Sequence, residues 1–164
     1  MQATSTVKTR IGLAEIFPPE AIIVGLEHRN KQGVIEELVH HLAELGCITE
    51  EEEKAVVQSI LARENLGSTA LGNGIAFPHC RSSLTEKFIG ILGIDSRGVP
   101  FNAVDGEPVH SIFLVLAPLD GREKHYEVLG KFMAIGRDKS QRVQLRGCRT
   151  PEAVHHFLQE LDRQ

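Results

Sequence analysis

The sequence predicts one α/β domain in which helices sandwich a sheet, and three observations carry that reading. Short apolar runs recur at 21–26, 74–77, 88–94 and 109–117, each of strand length. Segments with apolar residues every three or four positions lie between and beyond them, at 31–46, 49–66, 125–137 and 150–161. Glycine and proline clusters such as Arg97-Gly98-Val99-Pro100 and Asp105-Gly106 separate the two kinds of segment. Strands interleaved with helices bury their apolar faces best as a layered α/β domain.

Residues 1–10, MQATSTVKTR, are polar and are expected to be a flexible segment ahead of a domain over 11–164. AIIVGL, 21–26, reads as a buried strand. From Lys31, the residues Val34, Leu38, Leu42 and Leu45 form one helical face, and Gly46 is a natural stop. Thr49 with Glu52 makes a capping box for a second helix, whose acidic first turn suits the positive end of the helix dipole. That helix is expected to end near 65–67. GIAF, FIGILGI and VHSIFLVLA then read as strands. Around His125 to Arg137 a helical period returns through Tyr126, Leu129, Phe132, Met133 and Gly136. Thr150 caps a last helix with Pro151 at its first position, and Val154, Phe157, Leu158 and Leu161 line one face of it.

Composition narrows the function. A chain of 164 residues, 41% apolar and 24% charged, can bury a core without staples. A net charge of −4 leaves no electrostatic footprint for nucleic acid. No apolar run approaches the roughly 20 residues that direct membrane insertion requires, and the N-terminus lacks the apolar stretch of a signal peptide. Cys47, Cys80 and Cys148 form no CxxC pair, which suits free thiols in a reducing cytoplasm.

The chemistry centres on ALGNGIAFPHCR, 70–81, where glycines and Pro78 control the backbone just before His79. Gly67 to Gly72 has the spacing of a phosphate loop, but Asn73-Gly74 stand where Lys and Ser/Thr are needed. The dinucleotide fingerprint fails for want of a third glycine at Phe77. Metal is disfavoured as well: His40-His41 and His155-His156 are helix neighbours that point apart, and no Cys/His pair has zinc spacing. Cys80 projects away from His79 on an extended backbone and has no visible partner as a nucleophile. No cofactor is called for.

What remains is a histidine whose own ring is the nucleophile, since a neutral imidazole lone pair can attack a phosphoryl group. Such a group needs donors. Arg63 offers a planar fork, Ser68 and Thr69 offer hydroxyls and backbone amides, and His125 follows a strand, near its carboxyl end, where ligand sites of α/β sheets open.

RENLGSTALGNGIAFPHCR, Arg63 to Arg81, resembles the active-site segment of bacterial phosphotransferase-system (PTS) IIA components of the fructose/mannitol/nitrogen-regulatory type, the type-2 IIA domain. FNAVDGEPVHSIFLVLAP and the later KHYEVLGKF continue the resemblance, which runs from about Leu13 to Leu161. It implies that His79 is phosphorylated, with Arg63 and His125 as the supporting arginine and second histidine. It also implies a mixed central sheet flanked by helices on both faces. The donor would be an HPr-like histidine phosphocarrier protein. The acceptor would be a IIB cysteine or a regulatory target, and the absence of IIB and IIC segments from these residues leans towards the nitrogen-regulatory branch. Phe77 replaces the usual smaller aliphatic residue, and Cys80 stands where glycine is commonest.

Overall fold

A computed structural model describes residues 11–164, so the segment expected to be flexible, 1–10, lies outside the described residues. A five-stranded sheet carries the fold. β1 (Ile22–Val24) pairs parallel with β4 (Ile89–Val99), and β4 pairs antiparallel with β5 (Val109–Pro118). β5 in turn pairs parallel with both β2 (Ile75–Ala76) and β3 (His79–Ser82) along its other edge.

Side chains along β5 alternate between two cores. Ile112, Leu114 and Leu116 pack with α2 (Lys31–Glu44) and α3 (Glu53–Leu66). Phe113 and Val115 pack on the opposite face with α1 (Leu13–Ile16), α4 (Arg122–Arg137), α5 (Lys139–Arg146) and α6 (Pro151–Asp162). The result is the mixed sheet with helices on both faces that the sequence and the resemblance led us to expect. Burying both faces explains why the central strands read as continuous apolar runs rather than alternating ones.

The caps follow their sequence signals. Asn30 accepts from the Gly33 amide, and the Thr49–Glu52 box is complete in both directions, holding the 3-10 turn that leads into α3. Gly46, at φ 80°, ends α2 in the left-handed conformation, and Thr150 caps α6 with Pro151 at its first position.

Four features depart from the sequence reading. α1 and α5 are short and were not expected, and α4 begins at Arg122, three residues before His125. β4 continues through the Arg97-Gly98 cluster to Val99. It does so because Asp95, 1% exposed, sits at a shift in register and binds the Leu26 and Arg97 amides and the Arg29 and Arg97 guanidiniums. Burial pushes the Asp95 carboxyl up, but those hydrogen bonds outweigh it and hold the group well below the usual carboxylate range.

Candidate active site

The segment 75–82 is in effect one edge strand with an interruption. Ile75 lies opposite Ser111 and His79 opposite Val115, so the offset from β5 is the same before and after Phe77-Pro78. Pro78 has no N–H to give the ladder, yet its carbonyl still accepts from the Val115 amide at 3.0 Å. Alternation therefore carries across the break. Ile75 and Phe77 enter the core beneath α4, while Ala76 and Cys80 enter the core beneath α2 and α3. His79 and Arg81 continue the first set.

This pattern places His79 on the α4 side of the sheet, 7% exposed, with its ring 6.1 Å from that of Phe77. His79 Nδ1 lies 2.7 Å from the Phe77 carbonyl oxygen. A carbonyl can only accept, so Nδ1 carries the proton and the Nε2 lone pair is left free. Cys80, turned into the opposite core, has its thiol pushed up to about 11 by burial and is no thiolate at neutral pH.

His125 arrives from the other direction. β5 ends at Pro118, Gly121 turns the chain at φ 88°, and α4 brings His125 into place in its first turn. The His79 and His125 rings are 4.9 Å apart, centroid to centroid. His125 is also 7% exposed, stacks on Phe88, and has a buried Nδ1 with no hydrogen-bond partner. Burial, then the neighbouring His79, Arg81 and Arg63, lower its pKa to about 4. Burial also lowers His79; Arg63 and Arg81 add to that effect, while the Phe77 bond and Glu64 oppose it. Both rings are neutral at pH 7.

Arg63 lies in the last turn of α3, where Nη1 donates to the Gly67 carbonyl at 2.9 Å. Its charge reaches both histidines. Ser68 and Thr69 have other partners. Ser68 Oγ donates to Phe101 O and accepts from Ala70 N. Thr69 is 1% exposed, and its hydroxyl donates to the buried Glu64 carboxylate, which also accepts from the Thr69 amide and pairs with Lys31 at 3.1 Å. The sequence expectation that these hydroxyls face a phosphate does not match this geometry, because Phe101 O and the Glu64 carboxylate already accept from them. The burial of Glu64 could not be foreseen from a helix with so little apolar contrast.

The Glu64 group is a brace for the loop that carries Gly67 to Ala70. Glu64→Ala is expected to lower stability by about 1–3 kcal/mol, since it strands the buried Thr69 amide and hydroxyl and unpairs the partly exposed Lys31. A denaturant midpoint unchanged from wild type would show that the brace holds nothing.

The paired helix histidines lie elsewhere. His40 meets Glu53, His41 meets the Glu20 carbonyl, His155 meets the Ala14 carbonyl and His156 faces Glu160. Arg81 was missed by the sequence reading. The signal was present, as the fourth member of the alternating set Ile75, Phe77, His79, Arg81, but only pairing with β5 makes that set a strand.

Residues 15–161 match the family model described as "Phosphoenolpyruvate-dependent sugar phosphotransferase system, EIIA 2". A nitrogen regulatory protein of Bradyrhizobium diazoefficiens is 34% identical over 146 residues, covering 89% of this chain and 94% of the relative. The crystal structure of the nitrogen regulatory protein IIA-Ntr from Neisseria meningitidis superposes with a TM-score of 0.80 at 33% identity, over 88% of this chain and 97% of that one. The fold is shared more widely. An Escherichia coli mannitol enzyme IIA, solved in complex with phosphorylated enzyme IIB, matches at a TM-score of 0.69 and 22% identity, over 86% and 95% of the two chains.

Proposed function

We propose a phosphoryl relay centred on His79, from the premise that the chain belongs to the EIIA 2 family of the phosphoenolpyruvate-dependent sugar phosphotransferase system. The observation that carries the proposal is the His79 tautomer. The Phe77 carbonyl holds the Nδ1 proton and leaves the Nε2 lone pair beside a second neutral histidine. Nε2 attacks the phosphorus of an HPr-like phosphocarrier's phosphohistidine. The new N–P bond forms as the old one breaks, and its electron pair returns to the donor ring. Positive charge developing on the His79 ring is shared through Nδ1–H to the Phe77 carbonyl, which keeps the phosphoryl group ready to leave.

The acceptor is then a IIB cysteine or a regulatory target. The similarity to nitrogen regulatory proteins favours the second, with phosphorylation adding about two negative charges that admit or expel a partner. Among the described residues no helix is long and apolar enough to cross a membrane.

The test is incubation with phosphoenolpyruvate, the general phosphotransferase enzyme and its carrier protein. Intact mass should show one added phosphoryl group, labile to acid and stable to base. No incorporation from a donor mixture that labels a known IIA domain would end the relay reading.

In this reading Arg63 steadies the phosphoryl group in flight, since such transfer depends mostly on positioning and charge. Arg63→Ala should slow phosphorylation by on the order of 10²-fold. Because Arg63 also binds the Gly67 carbonyl, a loss of about 1 kcal/mol in stability is expected alongside. Severe unfolding with unchanged transfer kinetics would make Arg63 a structural residue only.

A further inference from the structure

We propose that Arg81 is a second phosphoryl-binding fork of this site, contacting the oxygens of the group that His79 carries; the proposal rests on the relay reading. Register makes the case first. His79 and Arg81 are paired with Val115 and Ala117 of the same neighbouring strand, so both side chains leave the same face of β3. Alternate residues of a strand are roughly 6.6 Å apart, a gap that an arginine side chain spans easily.

The second argument is availability. Arg29 and Arg97 are held by Asp95, Arg142 by the Gly136 carbonyl, Arg163 by Glu160 and Arg63 by the Gly67 carbonyl. Arg81 is exposed and, like Arg122, Arg137, Arg146 and Arg149, has no carboxylate or carbonyl partner among the described residues. Of these it is the one in the strand of His79. β3 lies at the edge of the sheet, bonded to β5 alone, so nothing on its far side in the ladder competes for the guanidinium. Its charge is nonetheless felt by both His79 and His125.

The third argument is charge balance. A phosphoryl group brings about two negative charges, while both histidines are neutral at pH 7 and Arg63 supplies one positive charge. Arg81 supplies the other. A planar fork suits two phosphoryl oxygens at once, so lysine should replace it only in part.

The experiment separates contact with phosphate from docking of a protein. Phosphoramidate is a donor too small to dock: His79 Nε2 forms its bond to phosphorus as the P–N bond of H₃N⁺–PO₃²⁻ breaks and ammonia leaves with that bond's electron pair. Wild type, Arg81→Ala and Arg81→Lys are each labelled by phosphoramidate and, separately, by the carrier protein. Arg81→Ala should be about tenfold slower with both donors, with Arg81→Lys between the two. The His79 ring, followed by NMR, should titrate at higher pH in Arg81→Ala, a change that a merely structural role would not produce. Slowing with the carrier alone would overturn the proposal and assign Arg81 to docking, and equal rates with both donors would overturn it outright. A wild-type protein that phosphoramidate and carrier both fail to label at His79 overturns the relay reading as well, which keeps the two failures distinct.

Discussion

His79→Ala is expected to take up no acid-labile phosphoryl label, while His79→Ala retains its helical and sheet spectrum. The reason is that nothing nearby can substitute as nucleophile. Cys80 faces the opposite core with its thiol raised to about 11. His125 is the one other imidazole near the site among the described residues; its Nδ1 is buried, and its ring, 4.9 Å from that of His79, stacks on Phe88. The remaining histidines each face a carboxylate or carbonyl oxygen of the protein. Stability should fall modestly, by about 1–3 kcal/mol, since the ring is buried against Phe77 and loses one hydrogen bond. Label that persists at the wild-type level, mapped by peptide mass, would move the phosphorylation site away from His79.

Much of this arrangement could be read in advance, and the parts that could not share a cause. The long helices, their caps and the two central strands are local statements: Thr49 and Glu52, or Thr150 and Pro151, settle their own segments. The edge strand is different. GIAF looked like a complete strand with His79 beyond it. In fact Ile75–Ala76 and His79–Ser82 belong to one ladder that Pro78 interrupts. Proline and glycine punctuate a sequence but cannot say whether the register continues past them. Only pairing with β5, more than thirty residues away, does that, and Arg81 was overlooked with it.

The same limit applied to the hydroxyls of Ser68 and Thr69. Their types suit a phosphate, but a buried Glu64 needs donors of its own, and Thr69 supplies two of them. A buried carboxylate without partners costs several kcal/mol, so local satisfaction outranks a ligand that comes and goes. In this structure the Ser68 and Thr69 hydroxyls are held by protein partners around the loop after α3, on which the Gly67 carbonyl meets Arg63.

His125 carries the other large effect, and the sign of its titration decides how. An unperturbed histidine titrates at about 6.5. Burial and the neighbouring rings and arginines instead lower it to about 4, so His125 is neutral when the phosphoryl group arrives. Between about pH 4 and 6.5 the unfolded chain binds the proton that the folded ring refuses. The stability contributed by the neutral ring is thus complete above 6.5 and is lost as pH falls towards 4. Once His79 is phosphorylated the balance reverses, because a dianion is now attached to a ring whose centroid lies 4.9 Å from that of His125. The His125 pKa should rise, and a ring N–H of His125 can donate to a phosphoryl oxygen. His125→Ala should still be labelled to completion, since the nucleophile is intact. Receipt and onward transfer, which share the phosphoryl group in flight at His79, should each slow by roughly 10²–10³-fold, the cost of removing one donor from a developing anion. Ring-proton NMR across pH 4–8, before and after phosphorylation, measures the shift directly. A His125 midpoint that does not move on phosphorylation, or transfer rates unchanged in His125→Ala, would mean that the two rings share a pocket without sharing the phosphate.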